Sequence, residues 1–345
     1  MKKTRIFKII DEKDEQLLEA AEIIRNGGTV AFPTETVYGL GANALSAEAV
    51  DQIYAAKGRP SDNPLIVHIT TKEDLEGLVE HAPFEEALMD AFWPGAITLI
   101  FKSKGTVAAR VTPGLDTLAV RMPSHVVAKK LIELSGVPIA APSANLSGKP
   151  SPTQGHHVID DLTGRVDGIV IYEESEVGLE STILDLTQTP PMLLRPGGIT
   201  VEAIESVIGK IQIDPALEKK MSDGIQPRAP GMKYTHYSPE ADVYVILGSV
   251  ENMISKINSM YKESNQTVGI MCTDESKASY PYDHVLSLGS RDNLEEIASN
   301  LFKTLRKFDE IGVDIVLAEG YDTLGMGKAI MNRLNKAAGY QVIKV

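Results

Sequence analysis

Cysteine is nearly missing from this chain: Cys272 is the single one among 345 residues. One thiol builds no disulfide framework, and a cysteine zinc site is excluded with it. Long apolar runs are missing too, since no window approaches the roughly 20 residues that cross a bilayer. The basic start Met1-Lys-Lys-Thr-Arg-Ile-Phe-Lys8 leads into charged sequence with no apolar signal core. The expected location is therefore cytoplasmic, with no membrane partner. Positive charge is also short. The net charge is −13, and most of the acidic excess falls in residues 1–210. A dedicated duplex-binding protein is usually basic, so small anionic substrates are easier partners than nucleic acid.

What is present reads as ordinary globular sequence, 43% hydrophobic and 23% charged, long enough for about two domains. Periodicity predicts a helix over 12–26 closed by Gly27-Gly28, a strand over 29–32 and a helix over 47–57 capped by Ser46. A strand over 65–70, an acidic helix over 72–92, strands at 96–101 and 118–122, a helix over 125–135 and a strand at 137–141 follow. Short strands are expected at 169–171, 181–186 and 192–194. Prolines at 215, 227, 230 and 239 mark 211–240 as a linker. Yet Pro230-Gly-Met-Lys-Tyr-Thr-His-Tyr237 is too rich in rings for a passive tether. From 242 the pattern alternates: strands at 242–247, 267–272, 284–288, 313–318 and 340–344, helices at 250–263, 291–308 and 327–338. That rhythm argues for an open, mostly parallel α/β domain.

The chemistry-bearing residues sit on loops after strand ends. Lys57-Gly58-Arg59-Pro60-Ser61-Asp62-Asn63-Pro64 places two cations beside a strand, as a phosphate or carboxylate site requires. A solvated turn is the plain alternative. Arg121 interrupts an apolar strand, so it is either paired internally or receives an anionic ligand. His68 is either a hydrogen-bonded core residue or part of a site. Known signatures fail. Gly320-Tyr-Asp-Thr-Leu-Gly-Met-Gly-Lys328 has a displaced lysine, and Ala329 stands where a phosphate loop needs Ser or Thr. Gly39-Leu-Gly41 lacks the third glycine of a dinucleotide fingerprint, and there is no Gly-x-Ser-x-Gly elbow. His156-His157 are adjacent, not i, i+4, as a helical zinc pair would be.

Phe32-Pro-Thr-Glu-Thr-Val-Tyr-Gly-Leu-Gly41, Lys57-Gly-Arg-Pro60, Asn63-Pro-Leu-Ile-Val-His68, Pro142-Ser-Ala-Asn145 and Arg195-Pro-Gly-Gly198 together resemble the threonylcarbamoyl-AMP synthases. The likeness to their YrdC-like catalytic domain covers about 1–210, and the remainder resembles the longer, two-domain members. It implies a YrdC-like twisted open sheet with helices (1–210), a linker covering the active site (211–240) and a smaller Rossmann-like α/β domain (241–345).

The implied reaction joins L-threonine, bicarbonate or carbon dioxide, and ATP into L-threonylcarbamoyl-AMP and pyrophosphate. The product would feed N6-threonylcarbamoyladenosine modification of tRNA through downstream transfer proteins. Carried over by position, Thr36, His68, Arg121, the backbone at Ala141 and Ser181 surround threonine. Arg59, Asn63, Thr117, Ser143, Ser151, Arg195 and Tyr234 meet ATP. Lys57, Arg59 and Asn145 stand at the reacting centre. Mg2+ is expected on the triphosphate, held through phosphate oxygens and water, with no protein metal ligand. Where the family often has Asp-Gly-Gly, this chain has Tyr172-Glu173-Glu174, so no contact is carried over for 172–178. Two other readings remain: an RNA-binding module without ATP turnover, which would bind tRNA with a steep salt slope, and a carbamoyltransferase using a premade donor. Direct tRNA binding finds no support in the acidic composition.

Overall fold

The computed structural model describes residues 2–58, 60–217, 227–230 and 237–345. Two compact units divide the chain: Met1–Ser147, Ser151–Glu176 and Glu180–Lys233 form the first, and Gly148–Pro150, Val177–Leu179 and Tyr234–Val345 the second.

The strands of the first unit are β1 (Arg5–Lys8), β2 (Val30–Phe32), β3 (Gly39–Asn43), β4 (Ile66–His68), β5 (Ile97–Lys102), β6 (Thr117–Arg121), β7 (Ile139–Ala141), β8 (Gly168–Ile171), β9 (Thr182–Asp185), β10 (Met192–Arg195) and β11 (Gln212–Ile213). Its helices are α1 (Gln16–Arg25), α2 (Ala47–Lys57), α3 (Glu85–Phe92), α4 (Val126–Ser135), α5 (Gly155–Leu162) and α6 (Val201–Ile208). All the strands join one mixed sheet in the order β1-β8-β2-β3-β7-β4-β6-β5-β9-β10-β11.

Side chains alternate across a strand, and here the alternation separates two cores. Ala31, Leu40, Val67, Leu99, Val120 and Ala140 face one way, against residues of α2, α3, α5 and α6. Val30, Phe32, Ile139 and Ala141 face the other, under α1 and α4. Further along that second face, among the described residues, Ile66, Ile100, Ala119, Ile183 and Leu194 pack with Ala229 and with no helix residue. The same parity places His68, Thr117, Arg121 and Asp185 on this face, because each lies an even number of residues from Ile66, Ala119 or Ile183.

Local chemistry explains the ends. Ser46 Oγ accepts from the Ala49 amide at 3.2 Å and Gly58 closes α2 at φ 61°, a left-handed turn that favours glycine. Sequence periodicity misjudged residues 72–92. Only a 3-10 turn (Glu73–Leu75) and α3 form there, because Pro83 lacks an amide donor and 78–80 pairs with 102–104 like a strand. The first helix begins at Gln16, not at 12, since Asp14 spends its carboxylate on the turn before it. β1, β3, α5, α6 and β11 were not foreseen.

The second unit is a five-stranded sheet, β12 (Asp242–Leu247), β13 (Val268–Cys272), β14 (Val285–Ser287), β15 (Ile315–Glu319) and β16 (Val342–Lys344), in the order β14-β13-β15-β12-β16. Every pair is parallel, as the alternation predicted. Its helices are α7 (Val250–Glu263), α8 (Asp274–Lys277), α9 (Leu294–Ile311) and α10 (Met326–Ala337). Glu319 is fully buried and held by Arg291 and the Tyr280 hydroxyl, both at 2.7 Å. The glycine run before α10 is internal packing: a Cβ at Gly327 would lie 2.0 Å from the Asp322 carbonyl. Of the ring-rich stretch 230–237, Tyr237 stacks on Phe302 at 5.1 Å, and 231–236 lie outside the described residues. Among the described residues no helix is long and apolar enough to cross a membrane.

Candidate active site

Register brings the first group together. His68 on β4 is paired with Arg121 on β6, and both side chains are buried. Arg121 distributes its donors: Nη1 to Thr36 Oγ1 at 2.8 Å and Nε to the Gly95 carbonyl at 3.3 Å. Nη2 lies 2.7 Å from Glu35 Oε1, off the line of a hydrogen bond. The internal pairing foreseen as one option for Arg121 is thus present, with Glu35, a residue given no role from sequence. Its only sequence signal was an acid between Thr34 and Thr36 just after the end of a short apolar strand. Burial pushes the Glu35 carboxyl up, but Arg121 outweighs it and holds the group below the ordinary range. Burial, reinforced by Arg121, pushes the His68 imidazole down to about 3, so it stays neutral at physiological pH. Its Nδ1 meets the Ile66 carbonyl at 3.1 Å and its ring stands edge-on to Phe32.

A second group centres on Arg195 at the end of β10. Nε donates to the Ser181 carbonyl at 3.0 Å, Nη2 to Ser181 Oγ at 3.1 Å and Nη1 to the Pro230 carbonyl at 3.4 Å. Ser181 Oγ also meets Thr98 Oγ1 at 2.7 Å. Gly197 permits this crowding, because a Cβ there would lie 2.3 to 2.5 Å from the backbone of 180–182.

The third group is built from the end of α2 and the 142–147 loop. Lys57 Nζ donates to the carbonyls of Ser143 and Asn145, each at 2.5 Å, and Ser143 Oγ reaches Asn145 Oδ1. Lys57 is only 3% exposed, so it belongs to a helix end wired to a loop, not to an open turn. Backbone bonds from Ala144 to Tyr38 and from Leu40 to Pro142 tie this loop to the stretch carrying Glu35 and Thr36. Ala141 lies opposite Ile66 between the first and third groups.

Other expected residues sit further out. Ser151 is buried and bonds Glu180, a second acid unassigned from sequence. Asn63 is buried, with its carbonyl accepting from Tyr54 at 3.0 Å. Thr117 stands at the opposite end of β6 from Arg121, roughly 13 Å along the strand. It lines a cavity of about 280 Å³ together with Lys102, Asp185 and Arg228. Arg59 and Tyr234 lie outside the described residues. The loop after β8 is pinned by the Tyr38 hydroxyl, whose pKa burial pushes up to about 12 and which donates to the carbonyls of Tyr172 and Glu173.

These groups supply guanidinium, ammonium, hydroxyl and amide, and among the described residues they are arranged without a nucleophile–base pair. Such a set neutralises and positions anions. Comparison with known proteins agrees. A family model described as "Telomere recombination" matches residues 22–197, and one described as "Threonylcarbamoyl-AMP synthase, C-terminal domain" matches 199–339. A threonylcarbamoyl-AMP synthase of Pyrococcus abyssi is 53% identical, covering 94% of this chain and 95% of its own length. One of Bacillus subtilis is 51% identical, covering 97% and 96%. The crystal structure of P. abyssi Sua5 complexed with L-threonine superposes with a TM-score of 0.92 at 52% identity, covering 99% of this chain and all of that one. Chain and site thus define an enzyme. The protein belongs to the threonylcarbamoyl-AMP synthase family.

Proposed function

We propose that this enzyme converts L-threonine, bicarbonate or carbon dioxide, and ATP into L-threonylcarbamoyl-AMP and pyrophosphate, a nucleotidyl transfer. The carrying observation is the buried Arg121–Thr36–His68 group, in which His68 and Arg121 are register partners on β4 and β6. Arg121 offers the threonine carboxylate a charge already desolvated, and Thr36, Ser181 and the Ala141 backbone supply polar partners. Neutral His68 walls the pocket without adding a second positive charge. The ammonium first releases a proton. The free amine then attacks carbon dioxide, opening one C=O bond and losing a second proton to give the carbamate. When bicarbonate is the source, its C–O bond breaks and the hydroxide leaves as water with that proton. A carbamate oxygen then attacks the ATP α-phosphorus as the bond to pyrophosphate breaks, and pyrophosphate leaves with the electron pair. Neither step needs a protein nucleophile, so placement and charge neutralisation carry the rate.

Lys57 and Asn145 are assigned to the reacting centre. Arg59, Asn63, Thr117, Ser143, Ser151, Arg195 and Tyr234 are assigned to ATP. Magnesium arrives as part of the ATP substrate. Its coordination would come from phosphate oxygens and water. The product would serve N6-threonylcarbamoyladenosine formation in tRNA through downstream transfer proteins in the cytoplasm. Purified protein should release pyrophosphate only when threonine and bicarbonate are both present. Release indifferent to threonine, or sustained by carbamoyl phosphate in place of bicarbonate, would contradict the assignment.

A further inference from the structure

Residues 227–230 are fastened to the open face of the first unit at three points. Ala229 is fully buried among Ile66, Ile100, Ala119, Ile183 and Leu194. Arg228 spreads its guanidinium over two acids, with Nη2 2.6 Å from Asp214 and Nη1 3.6 Å from Asp185. The Pro230 carbonyl rests on Arg195 at 3.4 Å. Half-exposed ion pairs usually contribute little. Here, however, the Asp185 and Asp214 side chains are only 4% and 10% exposed, so the cation answers charge that is largely withdrawn from water. The acids are also pre-set: Asp185 accepts from the Thr187 amide and hydroxyl, and Asp214 from the Ala216 amide. Arg228 is therefore the cation seated in a preset socket.

Two observations connect that socket to the site. Arg228 and Thr117 line the same cavity of about 280 Å³. Arg195 Nη1 holds the Pro230 carbonyl, so the returning chain touches a residue assigned to ATP, while Ser181 is held by the other two nitrogens of that guanidinium and by Thr98.

We propose that Arg228 is a positioning residue for the ATP half of the site. By seating on Asp185 and Asp214 it fixes Pro230 against Arg195, and so fixes where Arg195 presents its charge. The proposal rests on the reading above, in which Thr117 and Arg195 meet ATP. Nothing in it makes Arg228 touch a reacting atom.

The test uses full-length Arg228→Ala, Arg228→Lys and Asp214→Asn, with pyrophosphate release measured while ATP is varied at saturating threonine and bicarbonate. Threonine affinity is measured separately by calorimetry without ATP. Arg228→Ala should raise the KM for ATP about tenfold and leave threonine affinity within about twofold of the parent. Arg228→Lys should recover most of the loss, since the cation returns even though the fork does not. Asp214→Asn keeps the acceptor for Ala216 and should raise the KM for ATP in the same direction, which preserves the test if Arg228→Ala does not fold. An unchanged KM for ATP overturns the proposal, and so does a threonine affinity that falls in parallel, the mark of general loosening. A parent protein that releases no pyrophosphate overturns the functional reading itself, and this inference with it.

Discussion

Arg121 and Glu35 form a charge pair removed from water, and such pairs are costly to break from one side. Glu35→Gln strands the Arg121 charge and should destabilise the protein by about 3 kcal/mol. If threonine brings its carboxylate to Arg121, the ligand replaces the missing charge. The threonine-induced rise in Tm should then be larger in Glu35→Gln than in the parent, as thermal unfolding with and without threonine would show; equal rises would remove threonine from Arg121. His68 makes a second prediction. Its folded pKa, about 3, lies below its unfolded value. As pH falls below about 6.5 the unfolded chain therefore takes up a proton that the folded chain refuses, and stability drops with a slope of up to about 1.4 kcal/mol per pH unit. His68→Phe should lose that component between pH 6 and 4 in urea titrations. An identical slope would mean that His68 is protonated in the fold. Residue-scale chemistry was only half legible beforehand. Arg121 announced itself as a charge in an apolar strand, but its partner lies 86 residues earlier, and single-sequence reading cannot bring such a pair together.

Elements were legible where local signals agreed. α7 runs over Val250–Glu263 as the sequence pattern predicted, with Ser249 found as its cap, and the two ends of α2 were readable from Ser46 and Gly58. They failed where tertiary pairing overrode pattern. The polar and acidic run 72–92 looked helical, yet its middle is recruited as an edge partner by residues 102–104. β3 was hidden because Gly39-Leu-Gly41-Ala-Asn43 has few β-formers. Gly41 is required there by the approach of Ile139 and Phe32, which a Cβ would meet at 2.6 and 2.7 Å. Gly197 offers the sharper test at this scale. Gly197→Ala would drive a methyl into the backbone of 180–182, so it should lower stability by about 2 kcal/mol and disturb both Ser181 and Arg195. Denaturant unfolding and threonine binding check the two halves of that claim, and unchanged values in both would show that the loop has room to spare.

At the scale of the whole molecule, the first unit reaches beyond residue 210. β11 pairs with β10, and Ala229 completes an apolar cluster on the open face. A chain ending at Gly209 loses both, exposing Ile66, Ile100, Ala119, Ile183 and Leu194. It should show a lower Tm for the catalytic unit and impaired ATP use, read by calorimetry and pyrophosphate release. Full activity in that fragment would make residues 211–240 dispensable. The parallel second unit was readable because alternating strand and helix signals leave few other topologies. The eleven-stranded order of the first was not, since mixed pairings between distant short strands leave no local trace.

The most direct measurement of the central claim is mass spectrometry of the product formed from threonine, ATP and carbon-13 bicarbonate. The account predicts threonylcarbamoyl-AMP carrying the label in the carbonyl between the threonine nitrogen and the α-phosphate, with pyrophosphate released alongside. Label absent from any adenylate, or an adenylate lacking threonine, would contradict it.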